Sequence, residues 1–112
     1  MSEGASFGLS AEEAEKELRE LLRLRCKASL VNAVGDAMQG NSASAMSEML
    51  RLEQLAVFAD EAGKLDLVSD WEVDPGMRQR LLDMYAKTGG EQPRDVKLLE
   101  RILGLVPVPA ES

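Results

Sequence analysis

No proline interrupts residues 11–38, and that one stretch constrains most of what this chain can fold into. It opens with Ser10-Ala11-Glu12-Glu13, a capping-box pattern. The Ser10 hydroxyl accepts from the backbone N–H three residues on, and Glu13 reaches back to the Ser10 amide. Gly35 is its only glycine, at a cost of about 1 kcal/mol against alanine. A helix over Ala11–Met38 would run roughly 40 Å at 1.5 Å per residue, unless it breaks near Gly35. Ala14, Leu18, Leu21, Leu24, Ala28, Val31 and Met38 recur at helical spacing, and Leu22, Leu30 and Val34 widen that apolar side. After Val31 the stretch is apolar nearly all round, which predicts the centre of the core in its second half.

The remaining chain reads as helices that pack back onto this one. Gln39-Gly40-Asn41-Ser42 is a turn, with Gly40 suited to the left-handed position after a helix and Asn41 or Ser42 to the next cap. A second helix follows to about Ala62, with Ala45, Met46, Met49, Leu52, Leu55, Ala56 and Ala59 as its stripe, Phe58 and Val57 broadening it, and Gly63 as its stop. So short a turn makes the two helices antiparallel neighbours, an αα-hairpin. Residues 65–73 change to a two-residue period through Leu65, Leu67, Trp71 and Val73. No partner strand is evident, so the segment reads as an extended connector anchored by Trp71. Asp74-Pro75 caps and opens a third helix with Met77, Leu81, Met84 and Tyr85 inward, stopped at Gly89-Gly90. Pro93 opens a shorter fourth with Val96, Leu99, Ile102 and Leu103 inward, closed by Gly104-Leu105. The expected fold is all-α: a long αα-hairpin with two shorter C-terminal helices in a small bundle. The expected organisation is a flexible N-terminus over 1–9, a helical domain over 10–105, and an extended tail over 106–112.

Length and composition agree with one such unit. A chain of 112 residues with 45% apolar residues suffices for a core, but only four side chains are aromatic. Leucine, alanine, valine and methionine must therefore fill the interior, as in helical bundles. The single cysteine, Cys26, excludes an internal disulfide and fits a reducing compartment. The opening MSEGASFGLS lacks the basic and apolar regions of a secretory leader, and no apolar run approaches a membrane span. A soluble, cytoplasmic protein is expected. The net charge is -7. Residues 41–76 carry eight acids against Arg51 and Lys64, a net of -6, while residues 77–112 carry five acids and six bases, a net of +1. That acidic middle speaks against general nucleic-acid affinity and suits a basic protein partner.

Catalytic residue types are scarce. The chain has no histidine, which removes the commonest general base and metal ligand and every Ser/His or Cys/His pair. Cys26 stands between Arg25 and Lys27, but adjacent helical residues diverge by about 100°, and a buried free cysteine is the commoner case. Asp70, Glu72 and Asp74 have the first spacings of a calcium loop, but Pro75 stands where glycine is needed and Leu81 where a bidentate glutamate belongs. These acids read as a solvated face. No phosphate-binding glycine loop is present. Met38, Met46, Met49, Met77 and Met84 read as core filling ahead of an adaptable binding groove.

The stretch Pro93 to Pro107, with its Leu103-Gly104-Leu105 closure, generically resembles the ends of small phage DNA-packaging subunits. It spans some fifteen residues of common features and carries no function over. The leading expectation is a non-enzymatic, cofactor-free interaction protein that acts as an adaptor, regulator or assembly subunit and associates with itself as a dimer. Partner-binding candidates are Leu18, Leu21, Leu22, Leu24 and Trp71, because the second helix is too short to cover the first along its length. The alternative is a nucleic-acid-associated subunit using Lys16, Arg19, Arg23 and Lys27, a row at i, i+3 and i+4 steps. Interleaved glutamates, with Glu12 and Glu15 four residues before Lys16 and Arg19, favour a self-paired face instead. A third reading is an acidic mimic of nucleic acid.

Overall fold

The computed structural model describes residues 10–68, 70–88 and 95–105. The expected flexible N-terminus over 1–9, the Gly89-Gly90 stop, the Pro93 start and the tail over 106–112 lie outside these residues. Four helices follow in order: α1 over Ala11–Met38, α2 over Ser42–Glu61, α3 over Pro75–Lys87 and α4 over Val96–Ile102. Together they make 76% of the described residues helical, with no strand among them. The long αα-hairpin with shorter C-terminal helices is the fold that the sequence predicts.

Local chemistry explains where each helix starts and stops. Ser10 accepts from the Glu13 N–H at 3.1 Å, and Glu13 accepts from the Ser10 N–H at 2.9 Å. This closes the capping box. α1 then runs unbroken through Gly35. Gly40, at φ 79°, reverses the chain into α2; a side chain there would be strained. Asn41 stands at the α2 cap without a side-chain bond. Asp74 accepts from the Met77 N–H at 3.2 Å ahead of Pro75. The described part of α4 begins at Val96, where Asp95 caps it by accepting from the Leu98 N–H at 3.2 Å.

The core face of α1 differs from the expected stripe. Leu22, Cys26, Ser29, Leu30 and Ala33 are buried, while Ala14, Leu21, Leu24, Ala28, Val31 and Met38 are exposed. Leu22 and Leu30, read as widening the stripe, are its centre, Val34 is half-buried, and most of the stripe faces outward. Size is the physical reason. Cys26, Ser29 and Ala33 on α1 meet a hairpin partner whose buried face includes Ala45, Ala56 and Ala59. Small residues let helix axes approach closely, and the longer Leu22, Leu30, Met49 and Leu52 fill the remaining space. Leu65, Leu67 and Val68 of the connector, Leu81, Leu82 and Tyr85 of α3, and Leu98, Leu99, Ile102 and Leu103 from α4 complete that core. Leu82 and Leu98 join faces expected without them, while Met77 and Met84 are only half-buried.

Two polar junctions tie the later elements together. Arg78 on α3 donates from Nε to the Val73 carbonyl at 3.0 Å and from its guanidinium to the Leu103 carbonyl. One side chain thus holds the connector, α3 and the end of α4. Glu53 on α2 accepts from the Tyr85 hydroxyl and, at 3.0 Å, from the Asp95 N–H. Arg78→Ala is expected to lower the unfolding free energy by about 1–2 kcal/mol, since two carbonyl partners are lost. Chemical denaturation checks it; a Lys variant recovering full stability would show that charge, not the planar fork, is what matters.

Candidate interaction face

At about 100° per residue, Leu21, Leu24, Ala28, Val31, Gly35 and Met38 lie on the side of α1 opposite Leu22, Cys26, Leu30 and Ala33. Leu21 is 50% exposed, Leu24 51%, Val31 48% and Met38 75%. A Cβ added at Gly35 would meet nothing among the described residues within 4 Å. From Ala11 to Leu21 the only residue even half-buried is Leu18. The first third of α1 is therefore an arm with little packing of its own, joined to a deeply packed second half.

The five residues expected to bind a partner separate in the structure. Leu21 and Leu24 share the outer face. Leu18 is half-buried against the core, and Leu22, at 4% exposure, belongs to the core itself. Trp71 is half-buried and packs on the core from the connector, with an indole N–H that meets no acceptor among the described residues. Ala28, Val31 and Met38, assigned to the core by periodicity, lie on the outer face instead. The signal for them was present: residues 14, 17, 21, 24, 28, 31, 35 and 38 alternate steps of three and four, a second series beside the one that is buried.

The basic row is largely engaged. Arg19 lies 3.5 Å from Glu15, Arg23 2.5 Å from Glu20, and Lys27 3.5 Å from Glu72 of the connector. Hydrogen bonding from Arg23 holds the Glu20 carboxyl below its ordinary range, and Glu20 in turn raises Arg23. Glu15 is lowered chiefly by Lys64, a nearly buried lysine 3.0 Å away, with Arg19 adding to it. Lys64 also donates to the Ala62 carbonyl. The Lys27–Glu72 and Glu15–Lys64 pairs tie the connector and the turn after α2 to α1.

Other candidate groups have structural roles. Cys26 is fully buried, and burial pushes its thiol up to about 11, so little thiolate forms near neutrality. Asp74 serves as the α3 cap and Glu72 as the partner of Lys27. Met49 lies in the core, whereas Met38, Met77 and Met84 border a shallow pocket of about 220 Å³ with Ala37, Arg80 and Leu81. That pocket sits where the C-terminal end of α1 meets α3 and continues the outer face at Met38. Among the described residues no helix is long and apolar enough to cross a membrane. Comparison of the chain with protein-family models, with curated proteins and with solved structures finds no match.

Proposed function

We propose that this protein is a non-catalytic interaction module, an adaptor, regulator or assembly subunit, whose docking surface is the outer face of α1. One observation carries the reading: Leu21, Leu24, Val31 and Met38 stay exposed, from 48% to 75%, in one row opposite the core. Contiguous apolar rows on soluble domains commonly mark interfaces. Leu22 and Trp71 fall outside this surface because the core holds them. The alternative based on Lys16, Arg19, Arg23 and Lys27 is less favoured, since three of these cations are already paired with carboxylates.

The double substitution Leu21→Glu and Leu24→Glu tests the face. Both side chains are half exposed, so the variant is expected to keep the circular dichroism of the parent. Its binding to whatever the parent retains from host extract, itself included, should fall at least about tenfold. Unchanged retention, or a parent that retains nothing, rejects the face. Retardation of duplex DNA by the parent, weakened by Arg19→Ala with Arg23→Ala and by salt, would instead favour the nucleic-acid reading.

A further inference from the structure

We infer that the occupant of this face is a second copy of the chain, laid antiparallel along α1. The inference rests on the interaction reading above and names its partner. Three observations lead to it. The outer row follows steps of three and four through Ala14, Glu17, Leu21, Leu24, Ala28, Val31, Gly35 and Met38. This is the 3.5-residue repeat by which one helix packs along another, and here it faces away from the helices of its own chain. A helix seam of that repeat fits another helix better than a strand or a small molecule.

Charge then selects the partner and its direction. Residues 12–20 hold Glu12, Glu13, Glu15, Glu17 and Glu20 against Lys16 and Arg19, a net of -3. Residues 21–28 hold Arg23, Arg25 and Lys27 with no acid, a net of +3. An antiparallel copy sets residues 17–20 of each chain beside residues 25–28 of the other, so Glu17 and Glu20 lie near the partner's Arg25 and Lys27. A parallel copy would stack like on like, with Glu17 against its own equivalent in the seam.

One register pairs the row from Ala14 to Val31 with itself, with Gly35 and Met38 beyond the overlap. Leu21 packs against the partner's Leu24 and Leu24 against the partner's Leu21, so the two-fold axis crosses the seam between them. Ala14 meets the partner's Val31, small against large, and Glu17 lies over the partner's Ala28. Glu20 then flanks the seam beside the partner's Lys27. The overlap covers residues 11–34, about 36 Å of helix. That length suits an interface at the lower end of the specific range, roughly 600 Å² per partner. Among the described residues the arm packs through Leu18 and the Glu15–Lys64 pair, and it lies inside the overlap.

Mass and crosslinking test this directly. Sedimentation equilibrium at tens of micromolar should give twice the chain mass of 12.2 kDa. In a Cys26→Ala background, Ala14→Cys mixed with Val31→Cys should form a disulfide-linked dimer under mild oxidation, while each alone should not. If Cys26→Ala fails to fold, the same pair in a chain that keeps the buried Cys26 serves. Val31→Cys crosslinking to itself would mean a parallel seam, and Ala28→Cys joining Val31→Cys would mean a shifted one; either overturns the register. A 12.2 kDa species at hundreds of micromolar, with a foreign protein still lost by the Leu21→Glu and Leu24→Glu variant, overturns the second copy and leaves the interaction face. A monomer that retains nothing overturns both.

Discussion

Leu30→Ala is expected to lower the unfolding free energy by about 2–5 kcal/mol, whereas Leu24→Ala should cost less than about 1 kcal/mol. The two leucines lie six positions apart on one helix and look equivalent by hydropathy. Leu30 is fully buried, and truncating it leaves a cavity that its neighbours only partly fill. Leu24 is half exposed, so its truncation removes little burial within the chain. Domains of this size have total stabilities of about 5–15 kcal/mol, so the Leu30 variant is near the limit of remaining folded. Denaturant unfolding at sub-micromolar concentration, where association through the outer face contributes little, measures both. Equal losses would mean that α1 presents its core face differently.

Tyr85→Ala should be similarly damaging, at about 3–5 kcal/mol. Tyr85 is the largest fully buried side chain, and it combines a ring in the core with a hydroxyl that donates to Glu53. Glu53 also receives the Asp95 N–H at the mouth of α4, so the carboxylate joins α2, α3 and the α4 cap. Tyr85→Phe keeps the ring and loses one hydrogen bond, so its cost is expected to be about 1–2 kcal/mol. The ratio of the two losses separates ring packing from the polar junction. A Phe variant as unstable as the Ala variant would assign the whole effect to the hydroxyl.

Local signals in the sequence identify most of the fold. Ser10 with Glu13, Gly40, Gly63, Asp74 before Pro75, and Gly104 before Leu105 act within a few residues of themselves, and the helix limits follow them. The inward face of α1 is not a local property. Its two interleaved apolar rows are both helical in period, and the choice between them is made by α2. The buried row includes Cys26, Ser29 and Ala33, small side chains that permit close approach. Each side carries four large apolar residues, Leu18, Leu22, Leu30 and Val34 inward and Leu21, Leu24, Val31 and Met38 outward, so composition does not choose and packing does. The junction at Glu53 was equally hidden, because its partners Tyr85 and Asp95 lie 32 and 42 residues away. Of the candidate site, Leu21 and Leu24 were legible, since a helix longer than its partner leaves apolar surface. Val31 and Met38 were obscured by the same ambiguity of face.

The uneven packing of α1 makes it a helix of graded cooperativity. Its second half opens only when the bundle opens, because Cys26, Leu30 and Ala33 are fully buried. Its first ten residues rest on a capping box, Leu18 and a few carboxylate–cation pairs, among them Glu15 with Lys64. An isolated helical segment that short is marginal in water. Fraying can therefore run inward from Ser10 toward Leu22 while the core stays closed. Anything that docks along this arm must also hold it helical, so part of the binding energy is spent on ordering and the observed affinity is correspondingly reduced. By the same linkage, a substitution that strengthens the arm's helicity without touching the outer row should tighten docking.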